Sequence, residues 1–183
     1  GGPASPPSLP PAFAREHVAP ALPFDAATLK GISEKLIRSH YDNNFLGALK
    51  TLQAARARLG AMLDDRDTPA WAYNDLKREV LLRHGSGVLH ELYFDNLGGN
   101  GQADAAVRAR IAADFGSFEA FAKEFSAAAV GQFGSGWVFM TVGRDGKLLR
   151  FDLRAQLSHG ICGRPHKSDA RLHASFRKLC PFA

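Results

Sequence analysis

DFGSFEAFAKEFSAAAVGQFGSGWVFMTV, Asp114 to Val142, carries the chain from a helix into a strand, and its reading decides the fold. Ser117 can cap a helix over SFEAFAKEFSAAAVGQ, because its hydroxyl accepts from a backbone N–H that the first turn leaves free. GWVFMTV and LLRFDLR, joined by the turn residues GRDGK, then read as a β-hairpin. One further helix, ADAAVRARIAADFG, stands just upstream. The run NLGGNGQ before it stops helices, since Gly and Asn favour turn and left-handed backbone.

Outward from that break the N-terminal half reads as helical. Phe24 to about Leu63 is free of Pro and has apolar residues at helical spacing, with Ile32, Leu36, His40, Asn44 and Ala48 four apart. DDRDTPA turns the chain, and a second helix from about Trp71 to Asn96 sets Leu82, Ser86, His90 and Phe94 in line. The fold class expected is α+β: an N-terminal helical hairpin lobe, then an α/β lobe with a small antiparallel sheet. The divisions expected are a flexible Pro/Ala-rich leader over 1–21, a helical domain over 22–100 and an α+β domain over 101–183.

With 183 residues, 45% hydrophobic and 22% charged, the chain has the composition of a globular protein with a sizeable core. Cys162 and Cys180 are its only cysteines, which excludes a disulfide framework or a Cys-rich zinc motif and points to a reducing compartment. No apolar run approaches the roughly 18 residues that span a bilayer. The net charge of +5 suits an anionic partner, but the basic residues are dispersed. Neither a G-x-S-x-G elbow nor a phosphate-binding glycine loop is present.

The blocks DFGSFE and QFGSGW resemble the iron/manganese superoxide dismutases, in their helix start and strand entry respectively. LPFDAATLKGISEKLIRSHYDNN resembles that family's first helix, and GSGVLHELYFDNLGGNG its second. The resemblance covers roughly residues 22–151, with three segments in the family's order: the two helices and the stretch Asp114 to Val142 that holds both DFGSFE and QFGSGW.

A lone His on an apolar stripe usually serves as a hydrogen-bonded core residue. The resemblance gives His40 and His90 another role, as the two metal ligands of the N-terminal helices. The remaining ligands come, in the family, from a D-x-W-E-H-A motif. Here DARLHA keeps the acid and the imidazole as Asp169 and His173, but Arg171 and Leu172 replace the Trp and Glu. GRPHKS stands where the family has an apolar strand, and Pro165 cannot donate to a sheet. Three readings stay open: true ligands on a degenerate tail, an unrelated tail, or an abandoned site. A shorter alignment would put Asp152 and Gln156 in the ligand places, deleting a strand.

Around the metal the resemblance implies Gln156 as the manganese-type glutamine, with His159 as a substitute, and Ser86 at the iron-type position. It also implies Trp137 in the surrounding shell, while Asn44 and Ala48 replace the family's gate His and Tyr. The implied activity is superoxide dismutation at one Mn or Fe ion per chain, as an antioxidant homodimer, with metal-bound solvent and no further catalytic side chain. No membrane or nucleic-acid partner is implied, and the compartment is cytoplasmic or the mitochondrial matrix. The alternative is a catalytically silent structural subunit on this scaffold, as in a mitochondrial ribosome, where the pI near 9.5 would fit nucleic acid.

Overall fold

The computed structural model describes residues 9–132 and 135–154, with the backbone alone for 150–154. Two long helices dominate it. The first is built from α2 (Glu34–Ser39), a π-helical stretch His40–Phe45 and α3 (Leu46–Asp64). Ser33 starts it, its hydroxyl accepting from Leu36 N at 3.2 Å, with Glu34 bonded to Arg38 one turn on. The expected helix start near Phe24 is corrected by ten residues. Asp25 caps a separate 3₁₀ turn, Ala26–Thr28, and Gly31 has φ 81°, so the chain cannot run helical into Ser33.

Asp65 turns the chain, accepting from Asp67 N at 3.0 Å and from Thr68 Oγ1 at 2.8 Å. Pro69 then leads into α4 (Ala70–Asp95), close to the span expected. α3 and α4 pack closely. At Gly87 an added Cβ would lie 2.7 Å from Leu49 Cδ2, so the absent side chain sets how near the helices come.

One core joins Ile37, Phe45, Leu49, Phe94, Leu97 and Ala26, each nearly inaccessible. Burying the Ile, Leu and Phe side chains among them contributes about 1.5–3 kcal/mol each. The stripe at four-residue spacing is not the buried one: Leu36 is 59% exposed and Asn44 is exposed, whereas Ile37 and Phe45 are buried. Steps of four drift by about 40° each on a regular helix. The π stretch shifts the phase again.

The N-terminal segment, read from composition as a flexible leader, differs from that reading where it is described. Pro11–Ala14 forms a helical turn, α1, packed against α3. Phe13 and Leu9 lie over Gly60, where a Cβ would come 2.7 Å from Leu9 Cδ2.

Beyond α4 come α5 (Ala105–Phe115) and α6 (Phe118–Val130), capped by Asp104 and Ser117 accepting from Val107 N at 2.8 Å and Ala120 N at 2.9 Å. The expected hairpin follows. β1 (Gly136–Val142) and β2 (Leu148–Arg154) pair antiparallel, with Trp137 opposite Leu153 and Val142 opposite Leu148. Val107, Ile111, Phe121 and Leu148 form a second core, backed by Phe115, Phe118, Phe125 and Met140. Asp114 ties the hairpin to α5 by accepting from Leu148 N at 2.7 Å, and Arg110 donates to the carbonyl of Gly146.

Candidate metal centre

His40 stands where α2 gives way to the π stretch, and His90 projects from α4. Their ring centroids are 5.0 Å apart at 80°. Two imidazoles bound to one ion at about 2.1 Å, with an angle near tetrahedral, hold their centroids roughly 5 Å apart, so this spacing fits a shared ion.

The polar environment fits as well. His90 is only 6% exposed. Its Nδ1 lies 2.8 Å from the carbonyl oxygen of Ser86, and a carbonyl can only accept, so Nδ1 carries the proton. Nε2 is thereby left with a free lone pair, the form a metal binds. Ser86 Oγ also lies 3.3 Å from Nδ1. Burial pushes His90 below its ordinary value, against the opposing effect of the Ser86 backbone bond. His40 is pushed the same way, first by burial and then by the charge His90 would carry. Both shifts favour the neutral imidazole, the form that can ligate a metal.

Aromatic rings enclose the pair. Trp137 meets His90 edge-on at 4.8 Å, and Phe45 stacks on it at 5.9 Å. Tyr93 and Phe94 approach His40 at 5.3 and 5.4 Å. Trp137 comes from β1, so the strand entry of the C-terminal half closes over the histidine of the N-terminal half. Rings so placed reduce the access of water to His90 and strengthen charge interactions beside it.

The structure therefore brings together His40, His90 and Trp137. Asn44 is exposed and Ala48 buried. Asp169, His173, Gln156 and His159 lie outside the described residues. Asp152 is in β2, opposite Val138. Among the described residues no three His, Cys, Asp or Glu side chains are placed to hold a metal ion, so the pair is a half-set there. Sequence reasoning did not find the Ser86 carbonyl bond, although an i, i−4 residue on a helix is always within reach of such a contact.

An α+β chain that brings two imidazoles together beneath aromatic rings has the geometry that two ligands of one metal ion would need. Comparison narrows this. Residues 103–162 match the family described as "Iron/manganese superoxide dismutases, C-terminal domain". A relative from Cupriavidus metallidurans, named an iron superoxide dismutase, is 49% identical over 128 residues, 68% of this chain and 64% of its own length. A mitochondrial manganese superoxide dismutase of Oryza sativa subsp. japonica is 30% identical over 142 residues, covering 74% of this chain and 61% of that one. An iron superoxide dismutase of Bacteroides fragilis is 32% identical over 133 residues, covering 70% and 68%. The chain belongs to the iron/manganese superoxide dismutase family. It spans less than two thirds of the length of the first two relatives.

Proposed function

We propose that this chain binds one iron or manganese ion and disproportionates superoxide to dioxygen and hydrogen peroxide. The observation that carries the reading is the His40–His90 pair, its rings spaced for one ion and both pushed toward the neutral form, with His90 buried and His40 half-buried. Relatives named for iron and for manganese support either metal. Asp169 and His173 would complete the ligand set, and Gln156 would hydrogen-bond solvent at the ion. The bound ion supplies the one-electron redox chemistry that dismutation needs. The protein contributes the rest. His90 is oriented by Ser86, the rings of Phe45, Tyr93, Phe94 and Trp137 shield the pair from part of the solvent, and the net charge of +5 favours approach of an anion.

A homodimer is the assembly proposed, weakened because Leu172 stands where the family's Glu would bridge subunits. The cytoplasm is the compartment proposed, with the mitochondrial matrix as the alternative suggested by the rice relative. No helix among the described residues is long and apolar enough to cross a membrane. The test is elemental analysis and a superoxide-consumption assay after reconstitution with each metal. Equal metal content in the His40→Ala, His90→Ala double variant would overturn the assignment.

One observation favours a second reading, a catalytically silent structural subunit on the same scaffold. Ala48 is buried at the place where the family carries its proton-donating phenol, so that group is absent from α3. Metal bound at full occupancy without superoxide consumption would select this reading.

A further inference from the structure

A second histidine cluster lies outside the metal centre, where the N-terminal segment crosses the helical hairpin. His84 of α4 meets His17 of that segment edge-on, with centroids 6.5 Å apart at 72°. His17 Nε2 is 3.2 Å from Glu91 Oε2. From α3, Arg56 Nη1 donates to the carbonyl of Arg15 at 3.2 Å. The Nδ1 atom of His84 is buried and has no hydrogen-bond partner among the described residues. The groups around His84 are therefore Arg15 and His17 from the segment, Arg56 from α3 and, through His17, the carboxylate of Glu91. Arg83 beside it on α4 is already paired with Glu79 at 2.6 Å, and Glu16 on the segment is exposed.

We propose that residues Leu9–His17 form a pH-released strap, which lies closed on the α3–α4 hairpin while His84 is neutral and lifts when His84 takes a proton. A neutral His84 can tolerate a site with one unbonded nitrogen and two neighbouring guanidinium groups. An imidazolium there would face Arg56 and Arg15 with its own charge poorly solvated. The closure is apolar at one end, where Leu9 and Phe13 cover Gly60, and polar at the other.

Burial lowers the proton affinity of His84 most, followed by the charges of Arg56, His17 and Arg15. His17 and Arg15 depart with the strap, and so does part of the burial, so the open form binds the proton more readily than the closed one. Linkage then requires that protonation favour opening. Because the closed-state value is depressed below the ordinary 6.5, closure is fully stabilised above that value. The stabilisation is lost as pH falls from there through the depressed one. Arg56 is itself lowered by burial and then by Arg15, so the cluster already carries unrelieved positive charge.

Hydrogen exchange on the full chain tests this, with rates corrected for the intrinsic effect of pH. Between about pH 7.5 and pH 5.5, protection at Phe13 and Ala14 should fall several-fold while amides of Leu52 and Leu89 keep theirs. In His84→Gln the pH dependence should vanish. Strap protection that is flat with pH, or that falls equally in His84→Gln, overturns the proposal. If His84→Gln does not fold, the midpoint of the His84 ring in NMR titration decides instead. It should be higher in Gly60→Val, whose side chain displaces Leu9, than in the parent; equal midpoints overturn the strap.

Discussion

The ring Nδ1 of His90 donates to the backbone carbonyl of Ser86, at 2.8 Å, and this one contact leaves Nε2 as the nitrogen open to the proposed metal ion. Because the acceptor is backbone, it survives replacement of the Ser86 side chain. Ser86→Ala removes only the contact at 3.3 Å. Metal affinity, measured by competition with a chelator, should therefore weaken by less than about tenfold, the lower edge for loss of a supporting bond. His90→Ala should lose the metal.

Gly87 and Leu49 set the helix spacing in the hairpin. Gly87→Ala places a methyl 2.7 Å from the terminal Cδ2 of Leu49, which must shift; an overpacking cost of about 1–3 kcal/mol is offset by about 1 kcal/mol of helix propensity, so urea denaturation should show a net loss below about 2 kcal/mol. Leu49→Ala alone should cost about 2–5 kcal/mol, since Leu49 is buried. Combined, the two should cost less than their sum, because the smaller side chain relieves the overlap.

Asp114 holds the β-hairpin against α5 through the Leu148 N–H, in a place where Leu148 is 5% exposed. Asp114→Ala leaves that donor without its acceptor and should destabilise by about 1–3 kcal/mol in guanidinium denaturation. Asp114→Asn keeps an acceptor oxygen and should lose less. Exchange of the Leu148 amide should accelerate in the Ala variant before the amide of Phe121 does.

Much of this arrangement was legible in the residues. GRDGK occupies the turn between β1 and β2, and Ser117 caps α6, because both depend on local backbone chemistry that particular side chains announce. That His40 and His90 would meet was suggested only through family resemblance, since spacing alone cannot tell a core histidine from a proposed ligand. The exposure of Leu36 and Asn44 was not legible. It follows from the drift of a four-residue stripe around a regular helix, and from the wide turn at His40–Phe45, which no residue type signals. The docking of Phe13 and Leu9 on Gly60 was hidden too, because Pro and Ala richness describes the free chain and says nothing of a surface that receives it.

Asp169 and His173 give the fourth prediction. If they complete the ligand set, Asp169→Ala should lower metal content after dialysis well below the parent, and His173→Ala should do the same. A chain whose residues after Leu153 are replaced by an ordinary family C-terminus should bind the metal more tightly than the parent and consume superoxide faster. Unchanged metal content in Asp169→Ala would show that the carboxylate comes from elsewhere.

The π stretch at His40–Phe45, where Leu46 N bonds back to the carbonyl of Tyr41, amounts to a single residue in excess of a regular helix. Removing one residue there would leave an uninterrupted helix with better hydrogen bonding. Because the wide turn absorbs the surplus residue, the helix on either side would keep nearly its present phase, and Ile37 and Leu49 would stay in the core. What would change is the turn itself, where His40 begins and one fewer side chain would be carried past α4. The surplus residue is thus a local insertion: it alters what the helix presents at His40 without rotating the two halves that hold it.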